Sequence, residues 1–268
     1  YEKMKMSLND ITPEKMEKGI YKKYSFLLDQ IEVSEATNSL ILPISIQETA
    51  SQTVFRKDPE SKKTIIKGMN SNGINEFFST GDMLGTVLQD VFTNVNIYDD
   101  EIRLLQRRFT SPIAKEGLNF YKYYLMDTLT VAGKPCVDLT FVPFNSESFG
   151  FTGHLYVMLD STYFVKRAVM NFPQKINLNF VDYMKIEQNF DRAEDGTRQL
   201  LNESITTEFK LVDNSDGIYA KRDVYYRNYQ YEPDDKALQA FRKPEKVIEE
   251  TSASGYSEAY WDANRQVE

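Results

Sequence analysis

The chain is poor in the residues that most often carry chemistry, since its 268 positions include one cysteine and one histidine. A single cysteine excludes an internal disulfide and a cysteine-based zinc cluster. Apolar neighbours at Val137, Leu139 and Phe141 predict that Cys136 is a buried strand thiol rather than a reactive nucleophile. With His154 as the lone histidine and no GxSxG, GxGxxG, GxxxxGK[ST] or HExxH motif, the sequence predicts no catalytic residue, no metal ligand and no cofactor.

Long hydrophobic runs are also missing. No segment reaches the roughly 18 apolar residues of a membrane-spanning helix. The N-terminal YEKMKMSLND lacks the regions of a signal peptide, and a start at Tyr1 rather than at methionine indicates a processed or excised fragment. The net charge of −8 and the pI near 5.0 oppose binding to phosphate backbones, so nucleic acid is not expected as a partner.

Aromatic residues, in contrast, make up 13% of the chain, which favours sheets because flat and branched side chains fit a pleated surface. Pairs of strand-like segments flank short polar connections at 132–134, 160–162 and around Asp195-Gly196, and NSDG at 214–217 leads into a last strand. Such short connections predict an antiparallel meander of about seven strands. An earlier hairpin is predicted from Leu40–Phe55 through DPESKK to TIIKG.

The tip of that earlier hairpin is basic. Its cations are compatible with an acidic partner or lipid headgroups, but ordinary solvated surface is the favoured interpretation. They are Arg56, Lys57, Lys62, Lys63 and Lys67.

Three segments have helical spacing. Pro13–Ile31 is predicted as an amphipathic helix capped by Thr12. An apolar stripe from Met83 to Phe92 predicts a core helix. A further helical turn is expected to begin at Asp99 or Asp100, which explains that acidic cluster as a cap rather than a cation site. The predicted fold class is therefore α+β and β-rich, with a large curved antiparallel meander sheet and a few helices packed on it.

Both faces of the central strands carry large apolar groups, which a half-solvated sheet would not need. These side chains are candidates for contacts with a ligand in the concave face or with a helix that covers it, and the helix is favoured. They are Tyr156, Met158, Phe164, Met170 and Phe172.

The composition changes near the C-terminus. Residues 1–232 are predicted to form one β-rich domain, and 233–268, rich in Glu, Lys, Ser and Pro, a tail or linker. Tyr256, Tyr260 and Trp261 are the exception, because aromatic groups in a solvated segment need a surface to pack on. We expect them to dock on the sheet or on an absent neighbour.

Several blocks resemble a known family. SLILPISIQETASQTVFRKDP, KKTIIKGMNSNGI, SPIAKEGLNFYKYYLMDT and FTGHLYVMLDSTYFVKRAVM are similar to successive parts of a domain of unknown function in Bacteroidetes outer-membrane proteins, over about residues 20–265. The resemblance implies a periplasmic domain with two partners, a preceding carboxypeptidase-regulatory-like β-sandwich and a following outer-membrane β-barrel. It transfers no catalytic residues. The meander is also similar to the half-barrel of periplasmic lipoprotein carriers.

Three functions stay open at this point. The first is a non-enzymatic periplasmic domain for binding, assembly or gating, with a lipid or a periplasmic protein as a further partner. The second is a carrier of a lipid or another hydrophobic ligand. The third is a hydrolase that uses two carboxylates in a cleft.

Overall fold

The computed structural model describes residues 1–56, 58–59, 61–73, 81–172, 178, 180–210, 217–232, 234–250 and 256–265. Most of the strands join one large sheet, in the order β14-β4-β3-β1-β13-β12-β11-β10-β9-β8-β7, with β2 paired to β3 outside this path. A separate hairpin consists of β5 and β6. The strands are β1 Glu2–Leu8, β2 Glu32–Val33, β3 Leu40–Arg56, β4 Ser61–Gly73, β5 Glu101–Leu104, β6 Arg107–Thr110, β7 Tyr121–Val131, β8 Lys134–Pro143, β9 Thr152–Met158, β10 Val165–Asn171, β11 Val181–Arg192, β12 Arg198–Phe209, β13 Ile218–Tyr225 and β14 Val247–Glu249.

The predicted meander is confirmed. Strands β7 to β13 follow one another in the sheet in chain order, and each pairs antiparallel with the next. The predicted hairpin of β3 and β4 is also present. The NSDG turn lies outside the described residues except for Gly217. Period-two alternation with short connections was therefore enough to identify these strands.

The sheet extends beyond the meander and is mixed rather than purely antiparallel. Strand β1 lies between β13 and β3, so that Leu8 faces Ile218 on one side and Leu42 on the other. Strand β14 pairs parallel with β4. Both pairings join segments far apart in sequence, and a local pattern contains no sign of them.

The five α-helices of the described residues are short. They are α1 Pro13–Met16, α2 Gly81–Val91, α3 Gly117–Phe120, α4 Asp235–Ala240 and α5 Glu258–Asn264. The prediction of α2 is confirmed. No helix in the described ranges has the length and apolar character needed to cross a membrane.

The predicted helix over Pro13–Ile31 is not continuous. Thr12 caps its first turn by accepting a hydrogen bond from the Lys15 backbone at 3.3 Å, but the α-helix ends at Met16. A 3₁₀ segment follows from Gly19 to Gln30. Gly19 has a φ of +56°, in the left-handed region, and this conformation separates the two segments.

The helical turn expected from Asp99 or Asp100 is wrong, because the β5–β6 hairpin occupies that place. Ile102 and Leu104 are buried while Arg103 is exposed, which is the period of a strand. Leu105 and Gln106 both have positive φ, as a two-residue hairpin turn of type I′ requires. Neither residue is the usual Asn or Gly of such a turn, so the sequence signal was weak.

We call the sheet face that carries Leu139, Leu155, Ala168, Ile186 and Ile205 the inner face, and the opposite one the outer face. The main hydrophobic core lies on the inner face, beneath α2 and the β5–β6 hairpin. The cover contributes Leu84, Val87, Val91, Ile102 and Phe109 to this core. Helix α2 thus shares one core with the central strands, in line with the favoured alternative of a covering helix.

Candidate functional site

A pocket of about 550 Å³ opens at the end of the sheet where two hairpin turns meet. The β9–β10 turn forms one side, the β11–β12 turn forms another, and the loop before β5 supplies Tyr98. The lining residues are Tyr98, Thr162, Tyr163, Phe164, Val165, Arg192, Gly196, Thr197 and Arg198. None of them is acidic, and two are arginines.

Arg192 and Arg198 are directly opposite each other at the ends of β11 and β12. The Arg192 guanidinium lies over the ring of Phe164, at 5.2 Å from its centroid, and that of Arg198 lies 3.4 Å from the centroid of Tyr98. Among the described residues, neither arginine forms an ion pair within 4.0 Å. The pocket lining therefore contains two cations, each with an aromatic ring beneath its guanidinium.

Tyr98 connects the pocket to the core. Its ring meets Phe190 edge-on at 5.7 Å, and its hydroxyl is buried without a hydrogen bond of normal geometry in the described part of the chain. Burial raises the pKa of Tyr98, and the nearby charge of Arg198 offsets part of that rise. The hydroxyl is therefore a protonated donor at neutral pH.

An acid in the β9–β10 turn beside the pocket is already engaged. Asp160 accepts hydrogen bonds from the Thr162 backbone at 2.9 Å and from the Thr162 hydroxyl at 2.5 Å. These bonds are the main reason that the pKa of Asp160 is lowered, with a smaller contribution from Arg192. Asp160 thus stays ionised, but it forms no ion pair with Arg192 or Arg198.

His154 lies far from this arrangement in the fold, on the outer face. Its Nδ1 is 2.9 Å from Asp138 Oδ1 and 3.1 Å from the Thr140 hydroxyl. A hydrolytic triad needs the acid on one imidazole nitrogen and the nucleophile on the other. Here both partners share one nitrogen, so the geometry is that of a surface hydrogen-bond network.

Two buried carboxylates are also outside the pocket. Glu208 accepts hydrogen bonds from Ser34 at 2.5 Å and from Thr37 at 2.9 Å. Glu203 accepts one from Gln188 at 2.5 Å, and burial raises the pKa of Glu203. Within the described ranges no three His, Cys, Asp or Glu residues cluster as metal ligands would.

The five apolar residues predicted for the sheet faces do not share one face. Phe164 and Met170 are buried in the inner-face core, where Met158 also packs, and Phe172 stacks on Phe109 at 5.0 Å. Tyr156 is on the outer face, beside His154 and beneath the guanidinium of Arg167. A bulge between Val165 and Arg167 changes the register here. Only Phe164 lines the pocket, and a ligand role for these residues stays a prediction.

The C-terminal aromatics pack on the chain itself. Trp261 is only 2% exposed, and the rings of Tyr256 and Tyr260 stack at 3.9 Å. Tyr260 lies so close to Gly68 of β4 that a Cβ there would be 2.9 Å from its ring. Of the two surfaces expected for these aromatics, the structure shows the sheet, since Tyr256 and Tyr260 lie beside Gly68 of β4. Trp261 is buried within the chain rather than exposed.

The same segment leads to a prediction for hydrogen exchange. The Glu250 amide donates to the Ile66 carbonyl at 3.1 Å, next to the β14–β4 pairing. We expect this amide to exchange at least about tenfold more slowly than that of Asp127, which lies in the bulge of the edge strand β7. Amide exchange followed by NMR measures both. Equal, fast rates would show that 234–250 behaves as a linker after all.

Cys136 is buried, as predicted, and burial raises the pKa of its thiol. The residues that sequence reasoning missed are Arg192, Arg198 and Tyr98. One signal was available, because a hairpin turn centred on Asp195 places Arg192 opposite Arg198. Tyr98 had no such signal, since its approach to the turn depends on the packing of the β5–β6 hairpin.

The chain belongs to the family of unknown function DUF5686, whose model matches residues 1–228. No curated protein sequence matches it. Among solved structures, it is similar to a domain named for outer-membrane lipoprotein sorting from Vibrio parahaemolyticus, with 6% identity, 90% of each chain covered and a TM-score of 0.29. It is also similar to a DUF1329 family protein from Desulfovibrio piger, with 13% identity, 83% of this chain and 82% of that chain covered, and a TM-score of 0.25.

Proposed function

We propose that this chain is a non-enzymatic binding domain and that the pocket between the two hairpin turns is its ligand site. The proposal rests on the pocket itself, which combines aromatic walls with two arginines that form no ion pair among the described residues. Its volume is in the range of about 300 to 1,000 Å³ that is usual for small-molecule sites. A hydrolase would instead need two carboxyl groups facing a cleft, and the lining residues include none.

Two measurements on the purified chain test this proposal. Native mass spectrometry of the protein from bacteria, followed by extraction, is expected to show a retained small molecule, and Arg192→Gln/Arg198→Gln is expected to lose it. A panel of peptides, esters and glycans is expected to show no turnover. Turnover that a single substitution such as His154→Ala abolishes would contradict the proposal.

We further propose that the domain lies in the periplasm as a half-barrel between a β-sandwich and an outer-membrane barrel, in a Bacteroidetes protein. The support is the succession of sequence blocks named above and the long sheet with one covered face. Fractionation of cells that express the whole tagged protein tests the location. We expect the domain in the outer-membrane fraction, with protection from external protease until the membrane is breached. Recovery with the cytosol would contradict this location.

The hydrophobic-carrier function is less well supported. On the inner face, α2 and the β5–β6 hairpin fill the space that a buried acyl chain would take, with Val91 and Phe109 fully buried. A carrier would have to use the pocket at the end of the sheet instead.

A further inference from the structure

We infer that the pocket binds an amphiphilic oxyanion, with a carboxylate or phosphate headgroup between Arg192 and Arg198 and an apolar body against Phe164 and Val165. This inference rests on the proposed binding function and specifies the chemistry of its ligand.

The two pocket arginines are the evidence for an anionic headgroup. Like charges directly opposite each other destabilise a strand pair, and Arg192 and Arg198 are such a pair. Acids in and beside the two turns have other partners: Asp191 pairs with Lys166 at 2.8 Å, Asp160 accepts from the Thr162 amide at 2.9 Å, and Asp195 accepts from the Thr197 amide at 2.8 Å. An oxyanion between the two guanidinium groups would remove the repulsion and accept their charge-assisted hydrogen bonds.

A second hairpin shows what a compensated pair looks like in this protein. Arg103 and Arg108 are also directly opposite each other, on β5 and β6. There, Glu101 accepts an ion pair from Arg108 at 3.1 Å. The pocket arginines have no equivalent ion pair among the described residues, which leaves both guanidinium groups open to an anionic ligand.

The walls of the pocket are the evidence for an apolar part of the ligand. Phe164 and Val165 line the pocket and belong to the main core, so one wall of the pocket is apolar. A volume of about 550 Å³ is far larger than a bare phosphate needs. Two cations and an apolar wall within one pocket favour an amphiphilic anion.

Isothermal titration calorimetry with four twelve-carbon probes, each below its micelle concentration, tests the inference. The probes are laurate, dodecyl phosphate, dodecanol and dodecyltrimethylammonium, and inorganic phosphate reports on the headgroup alone. We expect at least one of the two anions to bind at least tenfold more tightly than dodecanol. Whichever anion binds better identifies the headgroup.

Two double variants complete the experiment. Arg192→Gln/Arg198→Gln is expected to weaken anion binding at least tenfold, whereas the matched Arg103→Gln/Arg108→Gln is expected to leave it unchanged. Circular dichroism and Tm verify that both variants fold. If all amphiphiles bind equally and the pocket variant has no effect, the headgroup inference fails while the binding function stands. If no probe binds the parent protein, the headgroup inference and the proposed binding function both fail.

Discussion

Gly153→Ala is expected to destabilise the protein by more than about 3 kcal/mol or to prevent folding, because an added Cβ there has the closest contact among the described glycines. Gly153 is on β9, opposite Met170 of β10. An ideal Cβ on Gly153 would lie 1.8 Å from the Val169 carbonyl oxygen and 3.2 Å from the Met170 Cα. Both neighbours are backbone, so only separation of the two central strands would make room.

The matched control is Gly85→Ala, which adds the same methyl group to α2. No atom lies within 4 Å of an ideal Cβ at Gly85. Since alanine has the higher helix propensity, we expect Gly85→Ala to stabilise by about 0.5 to 1 kcal/mol. Urea unfolding measures both free energies. A Gly153→Ala protein as stable as the parent would show that β9 and β10 are not in this register.

The second large effect concerns the contact that holds α5 against the sheet. The Glu48 carboxylate is 5% exposed and accepts hydrogen bonds from Arg265 Nε at 2.7 Å and Nη2 at 2.8 Å. The Tyr1 hydroxyl donates another at 2.6 Å. Arg265 is the main cause that lowers the pKa of Glu48 from 4.5 to about 2, against the effect of burial.

The direction of the pH dependence follows from that lowered pKa. A carboxyl group with a lower pKa in the folded state stabilises fully above its unfolded pKa, and the contribution disappears as the pH falls through the folded pKa. The window for Glu48 is thus from about pH 4.5 to about pH 2. At about 1.4 kcal/mol per pH unit, the loss is at most about 3 kcal/mol.

Trp261 reports on this contact, since it is the only tryptophan of the chain and is buried in α5. We expect its fluorescence to shift to the red as acid releases the helix. Arg265→Gln is expected to move the midpoint upward toward pH 4.5 and to destabilise at neutral pH by about 2 to 3 kcal/mol. The control Arg242→Gln, which replaces an exposed arginine, is expected to change neither the acid midpoint nor the stability at neutral pH. An unchanged midpoint in Arg265→Gln would exclude the ion pair as the cause.

Much of the fold could be predicted because its signals are local. The meander strands alternate every second residue and are joined by short polar turns, as in the segments that flank Asp195-Gly196. Helix α2 has an apolar stripe with the period of a helix, and Cys136 has the apolar neighbours of a buried strand. Where the local signal was ambiguous, as at Ile102 and Leu104, the prediction chose the wrong period.

The candidate site was much less predictable. Of the residues singled out beforehand, only Phe164 lines the pocket. Arg192 and Arg198 are ordinary surface charges until pairing places them opposite each other, and Tyr98 reaches Arg198 only because an intervening hairpin packs on the sheet. A pocket between two turns and a loop depends on their relative positions, which composition and periodicity do not contain.

By itself, the sequence determined the class of the protein: a β-rich domain with a meander, a core helix and no residues arranged as a known catalytic motif. The tertiary structure decided where the ends of the chain lie, with β1 inserted between β13 and β3 and Trp261 buried against the sheet. It also decided that two arginines share a pocket in which neither has an ion-pair partner among the described residues. The physical reason is range: strand and helix periods arise between neighbours in the chain, whereas Leu8 with Ile218 and Glu48 with Arg265 become neighbours only after folding.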